Sequence, residues 1–153
     1  QIGCYYNHKK WAYRFPYVTG TTAPLYNFGY GLSYTTFKYS RPRLSASTIA
    51  VDDSVRVSVD ITNSGTIDGE EVAQLYIRDD YSSATRPVKE LKGFERIALK
   101  AGETKTVTFL ITPESLACYD ANMKYGVEPG TFTVMTGSSS RDKDLQSIRL
   151  TVK

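Results

Sequence analysis

The sequence predicts an all-β fold, an antiparallel sandwich, on three observations. Val, Thr, Ile and Tyr are abundant, with twelve tyrosines in 153 residues, and these side chains suit a pleated, half-buried surface. Apolar residues recur at every second position in several short runs, the period of a strand with one buried face. Turn chemistry built on Gly, Asn, Asp and Pro separates those runs at regular intervals. The length is that of one domain, long enough to bury roughly two-thirds of its unfolded surface.

The strands follow one another from about residue 42. The clearest is VRVSVDITNSG, where Val55, Val57, Val59 and Ile61 share one face and Arg56, Ser58, Asp60 and Thr62 the other. Asn63-Ser64-Gly65 then supplies a turn. EEVAQLYIRD sets Ala73, Leu75 and Ile77 inward and Gln74, Tyr76 and Arg78 outward. After the polar loop DDYSSATRP come VKELKGFERIAL and the turn KAGE. TVTFLI aligns Val107, Phe109 and Ile111. TPESLAC predicts a short helical turn, capped by Thr112 with Pro113 in its first turn. Glu128-Pro129-Gly130 suits a tight turn with a glycine at positive φ. TFTVMT puts Phe132 and Val134 on one face, and SIRLTV sets Ile148, Leu150 and Val152 inward. About seven short strands with regular turns, and no helix of normal length, specify a sandwich of immunoglobulin or fibronectin type III kind. The buried-Trp and paired-Cys signature of antibody domains is missing: Trp11 and Cys4 lie upstream of the strands.

Residues 1 to 41 break this pattern. CYYN could form one short strand. The rest is rich in aromatics, Gly, Pro and Thr without hydrophobic periodicity. So long an irregular segment is unusual inside a compact domain, and this one is too aromatic for a disordered linker. It reads as an ordered strap whose rings bury against a neighbour, with Gly29 and Gly31 letting it turn.

Charge and chemistry narrow the function. Nineteen Lys and Arg against sixteen Asp and Glu leave a net +3, interspersed and without a basic run, so neither a nucleic-acid partner nor a membrane surface is indicated. Glu70 and Glu71 are adjacent on a strand and point to opposite faces. Asp52-Asp53 and Asp79-Asp80 sit in turns, and Asp142 and Asp144 flank Lys143 in a serine-rich loop; no EF-hand pattern is present. His8 is the only histidine, and no nucleophile-elbow sequence accompanies it. Gly29 and Gly31 do not form a phosphate loop, because no strand-to-helix junction follows. Cys4 and Cys118 could bond, but their spacing matches neither a zinc nor a redox motif, and two separate thiols is the simpler reading. Exposed rings could stack on sugars. No residue is assigned a catalytic, cofactor-binding or metal-binding role, and no cofactor is expected. The module reads as non-catalytic.

PLYNFGYGLSYTTFKYS (24 to 40) resembles the linker of family 3 glycoside hydrolases, the β-glucosidase and β-xylosidase group, with Asn27 where that family usually has proline. The likeness continues through EEVAQLYIRD, TRPVKELKGFERIAL, AGETKTVTFLITPESLACYD and VEPGTFTVMTGSSSRD, while CYYNHK resembles the closing strand of the family's preceding α/β sandwich domain. The resemblance implies that residues 1 to 41 are the end of that domain plus the linker strap, and residues 42 to 153 a fibronectin type III-like domain. It implies a longer parent that hydrolyses terminal β-D-glucosidic or xylosidic bonds with retention. In that family an aspartate nucleophile and an acid/base residue, roughly 5–5.5 Å apart in retaining enzymes, lie in upstream domains, so none carries over to this chain. Gln1 in place of an initiator Met fits a processed or excised chain.

The implied partners are the upstream catalytic domains, in the same or a separate chain. A homodimer and contact with an oligosaccharide or polysaccharide stay open, as does a free-standing carbohydrate-binding or protein-interaction module. The resemblance favours a periplasmic or secreted setting without deciding it. In the full parent, Tyr26, Phe28, Tyr30, Tyr34 and Phe37 are expected to be largely buried.

Overall fold

The computed structural model describes residues 6–8 and 24–153. Eleven strands appear among them in chain order: β1 (Phe37–Tyr39), β2 (Arg43–Leu44), β3 (Thr48–Ile49), β4 (Val55–Asn63), β5 (Gly69–Asp79), β6 (Glu90–Leu99), β7 (Thr104–Ile111), β8 (Cys118–Tyr119), β9 (Tyr125–Gly126), β10 (Gly130–Gly137) and β11 (Leu145–Val152). One helical turn, α1 (Pro113–Leu116), follows β7, with Thr112 at its N-cap and Pro113 in its first turn as the sequence indicates. No helix among the described residues is long and apolar enough to cross a membrane.

The strands form two facing sheets and a small hairpin. In the first sheet β4 is central, flanked by β7 and by the short β1 and β2. The second runs β3-β11-β10-β5-β6, and β8 pairs with β9 separately. All pairings are antiparallel except β3 with β11. The sandwich core is the meeting of the alternating faces. Val55, Val57, Val59 and Ile61 of β4 and Val107, Phe109 and Ile111 of β7 oppose Ala73, Leu75 and Ile77 of β5, with Phe132, Val134, Leu150 and Val152 from β10 and β11. Each Val, Leu, Ile or Phe among them contributes about 1.5–3 kcal/mol when fully withdrawn from water, so this face dominates the stability of the fold. Ile148, expected inward, is half-buried and packs against this core.

The turn at Lys100–Glu103 carries Gly102 at φ +77, a conformation glycine takes without steric cost, and Glu103 N–H closes it on the Lys100 carbonyl at 2.9 Å. Gly130 differs from expectation. It has no positive φ and is already the first residue of β10, paired with Val152, so Pro129 makes a bend that feeds the strand directly.

A second correction concerns β5. Gln74 and Tyr76 do point away from the core, yet they are buried, Tyr76 with no exposed surface at all. The outer face of the second sheet is covered by part of the irregular N-terminal segment. Strand alternation distinguishes two faces but does not reveal that both are covered.

Candidate functional site

The strap is fastened to the sandwich at two places. The first is on the outer face of the second sheet. Residues 27–30 form a turn closed by Tyr30 N–H on the Asn27 carbonyl at 3.0 Å, with Gly29 at φ +78. A Cβ at Gly29 would run into the Gln74 carboxamide, so a side chain is excluded both by conformation and by contact. Gly31 meets nothing and has no such requirement. The Gln74 amide donates to the Gly29 carbonyl at 3.1 Å and to the Ser138 carbonyl at 2.8 Å, and its oxygen accepts the Tyr76 hydroxyl at 2.5 Å. Phe28 stacks on Tyr6 with centroids 4.2 Å apart, and Tyr6 meets Tyr76 edge-on at 6.0 Å. Ser140 N–H donates to the Phe28 carbonyl at 2.9 Å. Burial pushes the Tyr76 phenol above its ordinary value, so the hydroxyl remains a donor.

The second fastening is Thr35, whose hydroxyl donates to Asn63 Oδ1 at 2.6 Å. Asn63 ends β4 and is fully buried. It also accepts from Gly65 N–H at 3.1 Å and donates to the Ile67 and Leu99 carbonyls at 2.8 and 3.1 Å. All four hydrogen-bonding positions of its carboxamide are used. The sequence marked Asn63 only as a turn residue; nothing local distinguishes this role from an ordinary Asn-Ser-Gly turn.

Between the fastenings the strap presents apolar surface. Leu32 is 89% and Tyr34 98% exposed, and Leu25 and Tyr26 are also exposed. Tyr30 lies 5.3 Å from Tyr26 and beneath the Arg141 guanidinium, 5.9 Å from its centroid. Beside them runs an open groove of about 260 Å³ bordered by residues 29–33, Glu70, Val72 and Arg141.

The acidic residues singled out in the sequence act as braces. Asp144 is held by Arg141 through two bonds of 2.9 and 3.0 Å and by the Ser139 hydroxyl at 2.7 Å. Asp142 pairs with the buried Lys89, whose amine also donates to the Ser140 carbonyl at 2.8 Å. These contacts shape the loop that grips Phe28. Glu70 pairs with Arg96 at the surface. Glu71 lies on the opposite side of the strand and accepts the Tyr39 hydroxyl at 2.7 Å, with its carboxyl pushed up by burial. Asp53 closes a turn on Ala50 N–H at 3.1 Å, and Asp80 accepts Thr133 at 2.9 Å. His8 offers its carbonyl to Val88 N–H at 2.9 Å. Of these groups Glu70, Glu71 and Asp144 border the open groove beside the strap, each already engaged by the partner just described.

Cys118 is a free, buried thiol; Cys4 and Trp11, like residues 1–5 and 9–23 generally, lie outside the described residues. The ligand atoms of Cys118, Asp79 and Glu128 lie within 4.8 Å of one another. Asp79 accepts Tyr81 N–H at 3.2 Å, and Glu128 accepts Ser83 N–H at 3.0 Å. The Arg86 charge acts on both carboxylates. A soft thiol mixed with hard carboxylates, both already engaged and facing a guanidinium, describes a structural junction.

The two facing sheets define a β-sandwich module, and comparison shows what it resembles. Residues 71–140 match the fibronectin type III-like domain model. The chain is 51% identical over 144 residues to a β-xylosidase of Formosa agariphila, covering 94% of this chain and 19% of that one. It is 46% identical over 150 residues to the periplasmic β-glucosidase of Salmonella typhimurium, covering 92% and 20%. A solved β-glucosidase from Erythrobacter marinus superposes with TM-score 0.91 at 41% identity, over 98% of this chain and 20% of that one. The chain thus carries a fibronectin type III-like domain and matches the small non-catalytic C-terminal region of family 3 β-xylosidases and β-glucosidases. It spans about one fifth of the length of these relatives.

Proposed function

We propose that the chain braces the catalytic part of a β-glucosidase- or β-xylosidase-type hydrolase, acting on terminal β-D-glucosidic or xylosidic bonds, and that the strap is where the two parts meet. The supporting observation is the pair of fastenings that hold Leu32 and Tyr34 almost wholly in solvent. An apolar segment so rigidly displayed is the mark of an interaction surface. On this reading residues 1 to 41 are the end of the preceding domain plus the strap, and 42 to 153 the accessory domain, whose first sheet also recruits Phe37–Tyr39.

The test uses a hybrid in which this chain replaces the matched region of the Formosa agariphila β-xylosidase. The hybrid should hydrolyse an aryl β-xyloside, and the pair Leu32→Asp and Tyr34→Asp should lower its unfolding temperature without changing that of the chain alone. The chain alone should show no hydrolysis of an aryl β-glucoside above background and no retention on insoluble cellulose or xylan. Hydrolysis by the chain alone would overturn the accessory reading; retention would move it to a free-standing binding module.

A further inference from the structure

We infer that the end of the sandwich carrying Tyr81 and the β8–β9 hairpin is a second docking surface, occupied by the globular region that precedes this chain in its longer relatives. The inference rests on the bracing role just proposed and adds a location that the strap does not supply.

Isolated exposed apolar residues need no explanation, but this end carries four. Tyr81 is 84% exposed, and Met123, Tyr119 and Tyr125 are each more than half exposed. Both loops that present them are held rigidly. Asp79 accepts Tyr81 N–H, and Glu128 accepts Ser82, Ser83 and the Ser83 amide, which fixes the 81–83 loop. Asp120 accepts Asn122 and Lys124 N–H at 2.8 and 2.9 Å, which fixes the hairpin tip. Asp79, Cys118 and Glu128 bring the two loops within 4.8 Å of one another. On the hairpin the Tyr119 and Tyr125 rings lie 5.0 Å apart.

Backbone conformation adds an independent sign. Met123 has φ +63, the only positive φ outside glycine among the described residues. A non-glycine residue in that region costs roughly 1–2 kcal/mol, and such strain collects at functional positions. Here it holds a large apolar side chain out in solvent.

The occupant follows from where the chain approaches this end. Val88 N–H donates to the His8 carbonyl, and Leu91 N–H to the Tyr6 hydroxyl at 3.2 Å. Tyr6–His8 therefore lies against the same loop that begins at Tyr81. In the relatives the matched stretch is C-terminal, with about four-fifths of the polypeptide outside it. A preceding domain joined just upstream of Tyr6 is delivered to this end of the sandwich.

Hydroxyl-radical footprinting of the chain alone and of the hybrid described above, followed by one double substitution, tests this. Reactivity at Met123, Tyr119, Tyr125 and Tyr81 should fall several-fold in the hybrid, and Tyr119→Ser with Tyr125→Ser should lower the unfolding temperature of the hybrid only. Protection of Leu32 and Tyr34 with an unprotected hairpin would overturn this inference and leave the strap reading standing. Protection at neither surface, or a hybrid that does not assemble, would remove both. Protection of the hairpin by soluble xylo-oligosaccharides in the chain alone would reassign the surface to a glycan. Concentration-dependent protection with a dimer in sedimentation would reassign it to a second copy.

Discussion

Around Gln74 and Tyr76 both faces of β5 are buried, yet by different physics. Toward the opposite sheet, Ala73, Leu75, Ile77, Phe132 and Val134 are covered by other apolar side chains. Toward the outside, Gln74 and Tyr76 are covered by Phe28, Gly29 and Tyr6 through an aromatic stack and a set of directed hydrogen bonds. The inner face gains from area and tolerates repacking. The outer face gains little net free energy per hydrogen bond but loses much when a partner is removed. The inner face therefore sets whether the sandwich exists, and the outer face sets where the strap lies and which way Leu32 and Tyr34 point.

The largest expected effect is on the inner face. Phe132→Ala should destabilise the chain by about 3–5 kcal/mol, read from denaturant midpoints, because Phe132 is almost fully buried between the sheets. The outer face should respond less and locally. Gln74→Leu leaves the Tyr76 hydroxyl without its acceptor and the Gly29 and Ser138 carbonyls without their donor, at about 1–3 kcal/mol. Amide exchange should accelerate at Tyr30 and Ser140, whose N–H groups close the strap turn and its grip, while that of β4 stays unchanged. If β4 exchange rises equally, strap and core form one cooperative unit and the distinction between the faces fails.

This contrast also explains what the sequence discloses. The strands β4, β7 and β11 are legible because alternation is a local signal, and Thr112-Pro113 announces α1 in the same way. Over residues 24–36 the strap is legible as ordered, since its ring content conflicts with disorder; the rest of the segment read as strap lies outside the described residues apart from 6–8. The seat of the strap is not legible. Gln74 looks like any outward polar strand residue, and only the chain fold brings Gly29, 45 residues away in sequence, onto it. Asn63 is equally silent, its partners Thr35 and Leu99 lying 28 and 36 residues away. The exposed hairpin aromatics went unnoticed because Tyr119 and Tyr125 alternate with polar residues in no pattern that separates display from burial. Family resemblance, by contrast, is carried by ordered local motifs, and there the reading and the comparisons agree.

A smaller effect probes the rim where the sheets meet. Burial raises the Glu71 carboxyl above its ordinary value, against the opposing pull of the Tyr39 hydrogen bond. A raised carboxyl favours its protonated form in the folded state. Its contribution is present below the ordinary value of 4.5 and is lost as pH rises through the raised one. Glu71→Gln keeps an acceptor for the Tyr39 hydroxyl and removes the buried charge. The variant should match or exceed the parent chain at pH 7 and lose the stability decline across that window. A clear loss at pH 7 would mean that the charge itself anchors Tyr39 and β1.

The smallest effect belongs to the solvent side of β4, where a surface pair has the opposite sign. Arg43 makes two bonds to Asp60, at 2.7 and 2.9 Å, and Thr106 adds a third at 2.7 Å. The Arg43 bonds, followed by Thr106, pull the Asp60 carboxyl down to about 2 from 3.8. A depressed carboxyl contributes stability above its unfolded value and loses it as pH falls through the folded one. Arg43→Ala should therefore leave acid unfolding less steep between pH 3.8 and about 2, with a barely shifted midpoint at neutral pH, because exposed pairs contribute little. Added salt should shrink the difference further by screening. A neutral-pH loss comparable to that of Gln74→Leu would show that β2, which pairs with β4 through only Arg43 and Leu44, depends on this ion pair to stay in the sheet.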